Sequence, residues 1–291
     1  MKIRNGTMFV ILSAMLWGTY GSFVTAISRY GLSGNVLVFF RFLATSLPVF
    51  LYLLVKDRRQ LHVRKQDWLL FAANGLASIL FFTSCYTAAI RETKIATAAA
   101  LLYTSPAMVM LLSAAIFREK LTVRKGVCIA LAVLGCALVS GVGQGDGGLT
   151  LKGLLLGLGA AFGYSLYSIF SRLIQERGYS TLTNVLYTFS IATVAYAVIS
   201  LVEGTLPQVV QLPQATLLSL LCGLVTGLAA YLLFTTGLQE MEPSRAAQLA
   251  TVEPVFAALL GVVLFGQSLA VTEILGIVLV VSAVILANHS A

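Results

Sequence analysis

One acidic side chain lies near the middle of an almost uniformly apolar stretch. Glu253 stands in the segment QLATVEPVFAALLGVVLF, residues 248–265, and Pro254 follows it directly. A carboxylate in the middle of a membrane span costs roughly 2.5–3.5 kcal/mol on insertion scales, which by default marks a functional residue. Glu253 could bind a substrate ammonium group, carry a coupling proton, or pair structurally with a polar neighbour. Pro254 cannot donate a backbone hydrogen bond to the Ala250 carbonyl, so it predicts a helix break at the same place.

Aromatic residues at helical spacing are the second chemical signal. Residues three or four positions apart share one face of a helix. Aromatic faces hold cations or planar ligands, and tyrosine hydroxyls suit a wet cavity better than lipid, although packing and interfacial belts are alternatives. Ser78 and Gln248 could add polar contacts or hydrogen-bond between helices. The predicted substrate-binding residues are Trp17, Tyr20, Ser78, Phe82, Tyr86, Tyr103, Tyr164, Tyr167, Tyr231, Gln248 and Glu253.

Two prolines and one arginine complete the set of unusual residues inside apolar runs. Pro106 and Pro254 are predicted hinges, with a static bend as the alternative. Arg41 lies about two turns inside another apolar run. It is expected to reach the outer membrane interface or a backbone carbonyl, and a role in folding or topology is favoured over substrate contact.

Motifs for covalent or metal-dependent chemistry do not occur in the sequence. H-E-x-x-H, G-x-S-x-G and Walker loops are absent, and the two histidines, His62 and His289, stand in a loop and near the chain end. The four cysteines lie inside apolar runs without a C-x-x-C pair, which is typical of buried structural thiols. The sequence therefore predicts no enzyme, no metal and no cofactor.

The composition excludes a water-soluble protein. Hydrophobic residues make up 58% of the chain and charged residues 10%, against about 25% charged in an average soluble domain. The net charge of +8 could suggest nucleic acid, but the basic residues stand between apolar runs. That placement is typical of membrane topology instead.

Apolar runs of about twenty residues suit helices that cross a hydrocarbon core about 30 Å thick. The first run has the flanks of a signal peptide, but further runs follow it, so an uncleaved helix is expected. Ten spans are predicted, near residues 7–28, 35–55, 68–89, 95–117, 124–142, 152–174, 182–203, 215–237, 244–265 and 271–288.

The distribution of basic residues predicts the orientation. Of the 19 Lys and Arg residues, 14 fall on the side that holds both chain ends, four fall on the other side, and Arg41 lies within a span. The positive-inside rule therefore places both termini in the cytoplasm. The connections are too short for a soluble domain. The expected location is the cytoplasmic (inner) membrane of a prokaryote, as a multi-pass protein.

The chain contains an internal repeat. A shift of 148 positions lays residues 86–139 on residues 234–287 without a gap and superposes Pro106 on Pro254. An odd number of spans in each half inverts the second half relative to the first, an arrangement typical of secondary transporters with a substrate site between the repeats. We therefore predict an all-α integral membrane protein with ten transmembrane helices in two inverted five-helix repeats, residues 1–146 and 147–291.

Two segments resemble the paired signatures of EamA-like permeases, which belong to the drug/metabolite transporter superfamily. They are LLYTSPAMVMLLSAAIFREKLT, residues 101–122, and LATVEPVFAALLGVVLFGQSL, residues 249–269, each leading into a Gly- and Val-rich last helix. The resemblance covers essentially the whole chain. It implies alternating access and a central cavity lined mainly by the first, third, fourth, sixth, eighth and ninth helices. One position departs from the pattern, because the acid that closes the signature is Glu119 in the first half but Gln267 in the second.

These inferences predict a secondary active transporter that moves a small polar metabolite by alternating access. Glu253 favours a cationic group on the ligand and the aromatic residues favour a planar or apolar part, so an amino-acid or amine-like substrate is expected. The resemblance favours export. A nucleoside or sugar importer of the same fold is the alternative, and a non-transporting membrane protein is the rival from another class.

The expected partners are the small-molecule substrate, the lipid bilayer and a coupling proton, and no nucleic acid. Glycine pairs with G-x-x-x-G spacing, Gly153/Gly157, Gly159/Gly163 and Gly223/Gly227, let helices approach closely. They indicate packing within the bundle first and a homodimer second, so a monomer or a weak homodimer is expected.

Overall fold

The structure, a computed structural model, describes residues 5–93, 95–139, 150–266 and 270–288. Regular structure within these ranges is helical, and no strand is formed there. Shorter helices, such as Arg58–Leu61 and Gln208–Gln211, lie in the connections. The main helical segments are α1 (Gly6–Ser28), α2 (Gly34–Lys56), α3 (Lys65–Glu92), α4 (Thr97–Phe117), α5 (Val123–Val139), α6 (Leu151–Glu176), α7 (Thr181–Val202), α8 (Pro213–Gly237), α9 (Pro243–Leu264) and α10 (Val271–Asn288).

The helices form a multi-pass membrane protein. Eight of them, all except α5 and α10, are long and apolar enough to cross a membrane. The outer surface carries large apolar side chains such as Val55, Leu69 and Val202, which are 78%, 80% and 83% exposed, and lipid is the solvent that such a surface needs. The prediction of ten spans is matched at eight positions, and spanning by α5 and α10 stays a prediction. The predicted boundary at residues 146–147 and Gln267 lie outside the described residues.

Three helices are interrupted, and each interruption contains a threonine. α1 is divided at Thr19, α4 at residues 103–104 and α9 at Thr251. The hydroxyls of Thr19, Thr104 and Thr251 donate hydrogen bonds of 2.7, 2.7 and 2.6 Å to the carbonyl three residues earlier. The amide group of each threonine donates to the same carbonyl. This three-residue spacing tightens the turn and ends the α-helix there.

The predicted hinge prolines stand just after two of these breaks. Pro106 is the second residue of helix Ser105–Phe117, and Pro254 is the third residue of helix Val252–Phe265. Amide groups in the first turn of a helix have no intrahelical acceptor, so a proline costs no hydrogen bond there. The break itself was predicted correctly. Pro254 has no amide to donate to the Ala250 carbonyl, and the preceding half-helix ends at Ala250.

Glycines let α3 and α8 approach their neighbours closely at π-helical stretches. These stretches are Asn74–Leu80 in α3 and Gly223–Ala229 in α8. A Cβ atom on Gly75 would lie 2.9 Å from the Thr188 carbonyl oxygen of α7, and one on Gly223 would lie 2.5 Å from the Arg41 carbonyl oxygen of α2. A larger residue would push these backbones apart. Packing within the bundle is therefore the role of Gly223, as predicted from its spacing.

Helix packing follows a repeated pattern. α2 packs on α7, and α5 packs on α10. The contact of α3 with α6 corresponds to that of α8 with α1, and the contact of α4 with α6 corresponds to that of α9 with α1. The contact of α2 with α8 corresponds to that of α7 with α3. Each of these contacts is reproduced when every helix is exchanged with the helix five places away. The largest apolar cluster draws most of its residues from α1, α2, α7, α8 and α9, and these elements position much of the candidate site.

Candidate functional site

Trp17 of α1 stands at the centre of an aromatic cluster. Its ring centroid lies 5.0 Å from that of Tyr231, 5.2 Å from that of Phe234 and 6.1 Å from that of Tyr164. Pairs in such edge-to-face or tilted geometry add about 0.5–1.5 kcal/mol each beyond the burial of their surface. Trp17 is buried. These rings join α1, α6 and α8 and form one surface, here called the aromatic wall.

The cluster continues from Trp17 in two directions. Tyr164 contacts Phe82 at 5.4 Å, and Phe82 stacks on Tyr86 at 5.9 Å, which extends the cluster into α3. Tyr231 contacts Tyr167 at 5.0 Å, which links α8 back to α6. The Tyr167 hydroxyl lies 2.7 Å from Thr235 Oγ1. The structure thus brings together six predicted residues, namely Trp17, Phe82, Tyr86, Tyr164, Tyr167 and Tyr231.

Glu253 lies at the break of α9, in the first turn of helix Val252–Phe265. The free amide groups and the dipole of that turn stabilise a negative charge. Its side chain is half-buried, and it makes no ion pair with a described residue. Arg41 and four tyrosines, Tyr86, Tyr103, Tyr164 and Tyr231, lie within electrostatic range of its charge. Residues of α2, α3, α4, α6 and α8 therefore lie in the region of the carboxylate.

Arg41 of α2 faces the same region. Its side chain is 7% exposed, so the expectation that it reaches the membrane interface is wrong. Nε donates to Thr226 Oγ1 at 3.0 Å, and Nη2 donates to the Thr226 carbonyl at 3.2 Å. The second expectation, a backbone carbonyl as partner, is therefore confirmed. The guanidinium carbon also lies 4.4 Å from the centroid of the Tyr20 ring, which is a cation–π contact.

Two buried N–H donors at the site have no acceptor in the described part of the chain. They are Trp17 Nε1 and Gln248 Nε2. Gln248 is 4% exposed and lies in the last turn of α9 before the break. A buried donor without an acceptor costs about 1–3 kcal/mol. The two groups are thus free to bind polar atoms of a ligand.

Ser78 is held in a different polar network. Its hydroxyl donates to the Asn74 carbonyl and, at 2.8 Å, to Asn74 Oδ1. Asn74 Nδ2 donates in turn to Asn184 Oδ1 at 3.1 Å and to Thr188 Oγ1 at 2.9 Å, both on α7. The network joins α3 to α7. Hydrogen bonding between helices, the alternative considered for Ser78, describes this position, and its contact with substrate stays a prediction.

Tyr103 and the two prolines lie at the helix breaks. Tyr103 belongs to the break of α4 and packs against the cluster that contains Cys136 and Val255. Pro106 and Pro254 are both buried at the starts of their half-helices. Motion at these positions stays a prediction.

Arg41, Thr226 and Phe234 join the site although they were not predicted there. Phe234 follows Tyr231 by three positions, so the helical spacing that grouped the other aromatic residues could have found it. The charge of Arg41 inside an apolar run was also a signal. Thr226 had no sequence signal, because its role depends on the packing of α8 against α2.

The arrangement offers recognition through charge, hydrogen bonds and aromatic faces. Among the described residues, no group of three His, Cys, Asp or Glu side chains comes together to hold a metal ion. One carboxylate, one guanidinium and free N–H donors surround an aromatic wall. Such a site can bind a small polar molecule that carries an apolar or planar part.

Comparison with known proteins places the chain among transporters. An uncharacterized transporter of Archaeoglobus fulgidus is 29% identical over 98% of this chain and 97% of its own length. The uncharacterized transporter YwfM of Bacillus subtilis is 28% identical over 96% of this chain and 92% of its own length. One solved crystal structure, 17% identical, superposes with a TM-score of 0.81 over 97% of this chain and 96% of that one, which shows a shared fold.

The family assignment comes from two matches along the chain. The model of the EamA-like transporter family matches residues 4–141 and again residues 151–289. Together the matches span nearly the whole sequence, as the resemblance of residues 101–122 and 249–269 had indicated. The chain therefore belongs to the EamA-like transporter family.

Proposed function

We propose that this protein is a secondary active transporter that moves a small polar metabolite, amino-acid or amine-like, across the cytoplasmic membrane by alternating access. The observation that carries the proposal is Glu253. This carboxylate lies at a helix break in the middle of the bundle, without an ion pair to a described residue and beside an aromatic wall. A substrate ammonium group or a coupling proton would neutralise it, and the aromatic rings would hold the rest of the substrate.

Two inverted five-helix repeats around a central cavity are part of the proposal. The exchange symmetry of the helix contacts supports it, because a two-fold relation between halves pairs helices in this way. The two family matches, residues 4–141 and 151–289, also support it. Further support comes from the π-helical stretches, which occupy similar places in α3 and α8. Inverted repeats allow the two halves to rock around a fixed site near the midplane.

We place the end that carries most basic residues in the cytoplasm and propose that it is closed in this structure. Lys125 Nζ lies 2.6 Å from Glu242 Oε2 and 3.4 Å from Glu119 Oε2, and Ser244 donates to the same oxygen of Glu119. This network joins the α4–α5 connection and the start of α5 to the start of α9. Opening this end would separate these groups.

A second network lies at the same end. Asp67, only 1% exposed at its side chain, pairs with Arg64 at 2.7 Å and with Arg177, and it accepts a hydrogen bond of 2.6 Å from Tyr179. Hydrogen bonds to Tyr179 and Asp67 raise the pKa of the Arg64 guanidinium above its usual value. The network joins the start of α3 to the end of α6, which supports closure of the cytoplasmic end.

Export is the direction that we propose, with a proton as the coupling ion. A nucleoside or sugar importer of the same fold is the second candidate, and the aromatic wall favours it, because bases and sugar rings also stack on aromatic faces. A thermal-shift screen of the purified protein against amino acids, amines, nucleosides and sugars identifies the class of compound that binds. A ligand that binds the folded state raises the melting temperature.

The role of Glu253 is tested with the substrate from that screen in proteoliposomes. Glu253→Gln removes the charge at nearly constant volume and should abolish flux or uncouple it from a pH gradient. Glu176→Gln is the matched control, because Glu176 is 46% exposed and pairs with Arg172 away from the break of α9. Unchanged flux and pH dependence in Glu253→Gln would refute the proposed role of the carboxylate.

A further inference from the structure

Arg41 is a buried charge without an acidic partner in contact. Its side chain is 7% exposed, and no carboxylate of a described residue lies within ion-pair distance. A guanidinium inside a membrane span is costly and is normally compensated by a partner of opposite charge. The neutral groups of Thr226 and the Tyr20 ring orient this guanidinium but do not neutralise it.

The contacts of Arg41 fix the plane of its guanidinium. Nε and Nη2 are both engaged by Thr226, whose hydroxyl is itself oriented by a hydrogen bond of 2.9 Å to the Cys222 carbonyl. Thr226 lies in the π-helical stretch Gly223–Ala229, a kind of irregularity that is frequent at functional sites. The geometry thus presents a preorganised donor group to the interior of the bundle.

Glu253 supplies the opposite charge across the same region. The α1 helix brings the two groups to the same region, because Gly18 packs against the backbone of Glu253 and Tyr20, two residues later, contacts Arg41. Tyr231 contacts Trp17, the neighbour of Gly18, at 5.0 Å, which places it at the same site. A ligand that carries both an anion and a cation could neutralise both groups at once.

We propose that Arg41 binds the carboxylate of the substrate while Glu253 binds its ammonium group, so that the site selects zwitterions over simple amines. The inference rests on the proposed transport function and narrows its substrate class to compounds that carry both charges. The aromatic wall of Trp17, Tyr164 and Tyr231 then receives an apolar side chain of the ligand. Arg41 acts as a binding residue, and Thr226 acts as a positioning residue that orients the guanidinium.

Three matched probes test this assignment by thermal shift and by equilibrium binding to the purified full-length protein. L-phenylalanine carries both charged groups, phenethylamine lacks the carboxylate, and 3-phenylpropionate lacks the ammonium group. The wild-type protein should bind L-phenylalanine most tightly. Arg41→Gln should weaken the binding of L-phenylalanine by about tenfold or more, because one charge-assisted hydrogen bond is lost. The same variant should leave the binding of phenethylamine unchanged. Glu253→Gln should also weaken the binding of L-phenylalanine and should leave the binding of 3-phenylpropionate unchanged.

A purely structural role for Arg41 predicts a different outcome. In that case Arg41→Gln would lower the melting temperature without ligand and weaken all probes alike, which would overturn the assignment. Thr226→Val keeps the charge and removes the side-chain anchor, so it should weaken L-phenylalanine selectively and keep the fold if Arg41→Gln does not fold. Wild-type binding of L-phenylalanine that is insensitive to both variants would refute this inference alone. A wild-type protein that binds none of the three probes would refute the substrate class of the proposed function as well.

Discussion

The interrupted helices α4 and α9 are built alike and differ at one functional position. In both, a threonine hydroxyl donates to the carbonyl three residues earlier, and a proline occupies the first turn of the half-helix that follows. When the prolines are superposed, Ser105 in α4 takes the place of Glu253 in α9. The shared features build the break. The acid is present in only one copy, where we propose that a single cation or proton is bound.

The neighbours of the two breaks extend this comparison. Ser165 of α6 donates a hydrogen bond of 3.2 Å to the Ser105 carbonyl of α4. At α9, the corresponding neighbour is α1, where a Cβ atom on Gly18 would lie 2.9 Å from the Glu253 carbonyl oxygen. One contact is a hydrogen bond and the other is close backbone packing. Each break is therefore held by a neighbouring helix, and the α9 break depends on the absence of a side chain.

The largest effect is expected when the two breaks are made alike. Glu253→Ser gives α9 the residue that α4 carries, and it should lower transport on the order of a hundredfold, because a buried charged contact to the substrate or proton is worth about 2–5 kcal/mol. Flux of the screened substrate into proteoliposomes is the measurement. Ser105→Ala is the control and should retain flux. Comparable loss in both variants would mean that the breaks are functionally equivalent.

The second-largest effect is expected from Gly18→Ala, which disturbs the close packing of α1 against α9. The added methyl group meets backbone atoms of Glu253 and Ala257 at 2.9 and 3.2 Å, so the variant should lose about 1–3 kcal/mol of stability through overpacking and transport more slowly. Thermal unfolding in detergent and flux measure both effects. Gly21→Ala in the same helix is the control, because no atom lies within 4 Å of its added Cβ. An unchanged melting temperature for Gly18→Ala would contradict the tight approach of α1 and α9.

A smaller effect is expected when the threonine hydroxyl of each break is removed, which distinguishes the stability of the break from its role in transport. Thr251→Val and Thr104→Val each remove a hydroxyl that bonds the preceding turn, and each should cost about 1 kcal/mol. The two variants should therefore unfold at similarly lowered temperatures. Only Thr251→Val should also reduce flux, because Thr251 lies two residues before Glu253. Equal flux in both variants would contradict this prediction and would mean that the geometry of the α9 break does not affect transport.

The smallest effect is expected at the network of Lys125, Glu119 and Glu242, which we place at the cytoplasmic end. Lys125→Gln removes a pair with Glu242 that is partly exposed, at 21% and 53% of the two side chains, and such pairs contribute about 0–1 kcal/mol. The melting temperature should hardly change. Labelling of a cysteine introduced near Trp17 from the cytoplasmic side should increase, because the closed state is weakened. Lys152→Gln, which breaks the pair with Glu92 at the opposite end, should not increase it.

The sequence predicted most of the fold because the bilayer imposes a simple rule on it. Apolar length indicated spans within a few residues of eight structural segments, and the mid-span prolines indicated the breaks at α4 and α9. The aromatic residues of the site were found from helical spacing, since one face of a helix meets one neighbour. Ser78 and Arg41 show where this reasoning stops, because spacing alone does not say which face of α2 or α3 turns inward.

Composition and the placement of charges by themselves determined a membrane protein, the positions of eight of its spans and the choice of Glu253 as a candidate, since burying charge in lipid is costly wherever it occurs. Only the tertiary structure decided which groups meet Glu253. Arg41 belongs to the site because α8 packs on α2 through Gly223, and that contact places Thr226 where it can hold the guanidinium. Such a contact depends on matching two helix surfaces that lie far apart in the chain, and a single sequence does not encode it locally.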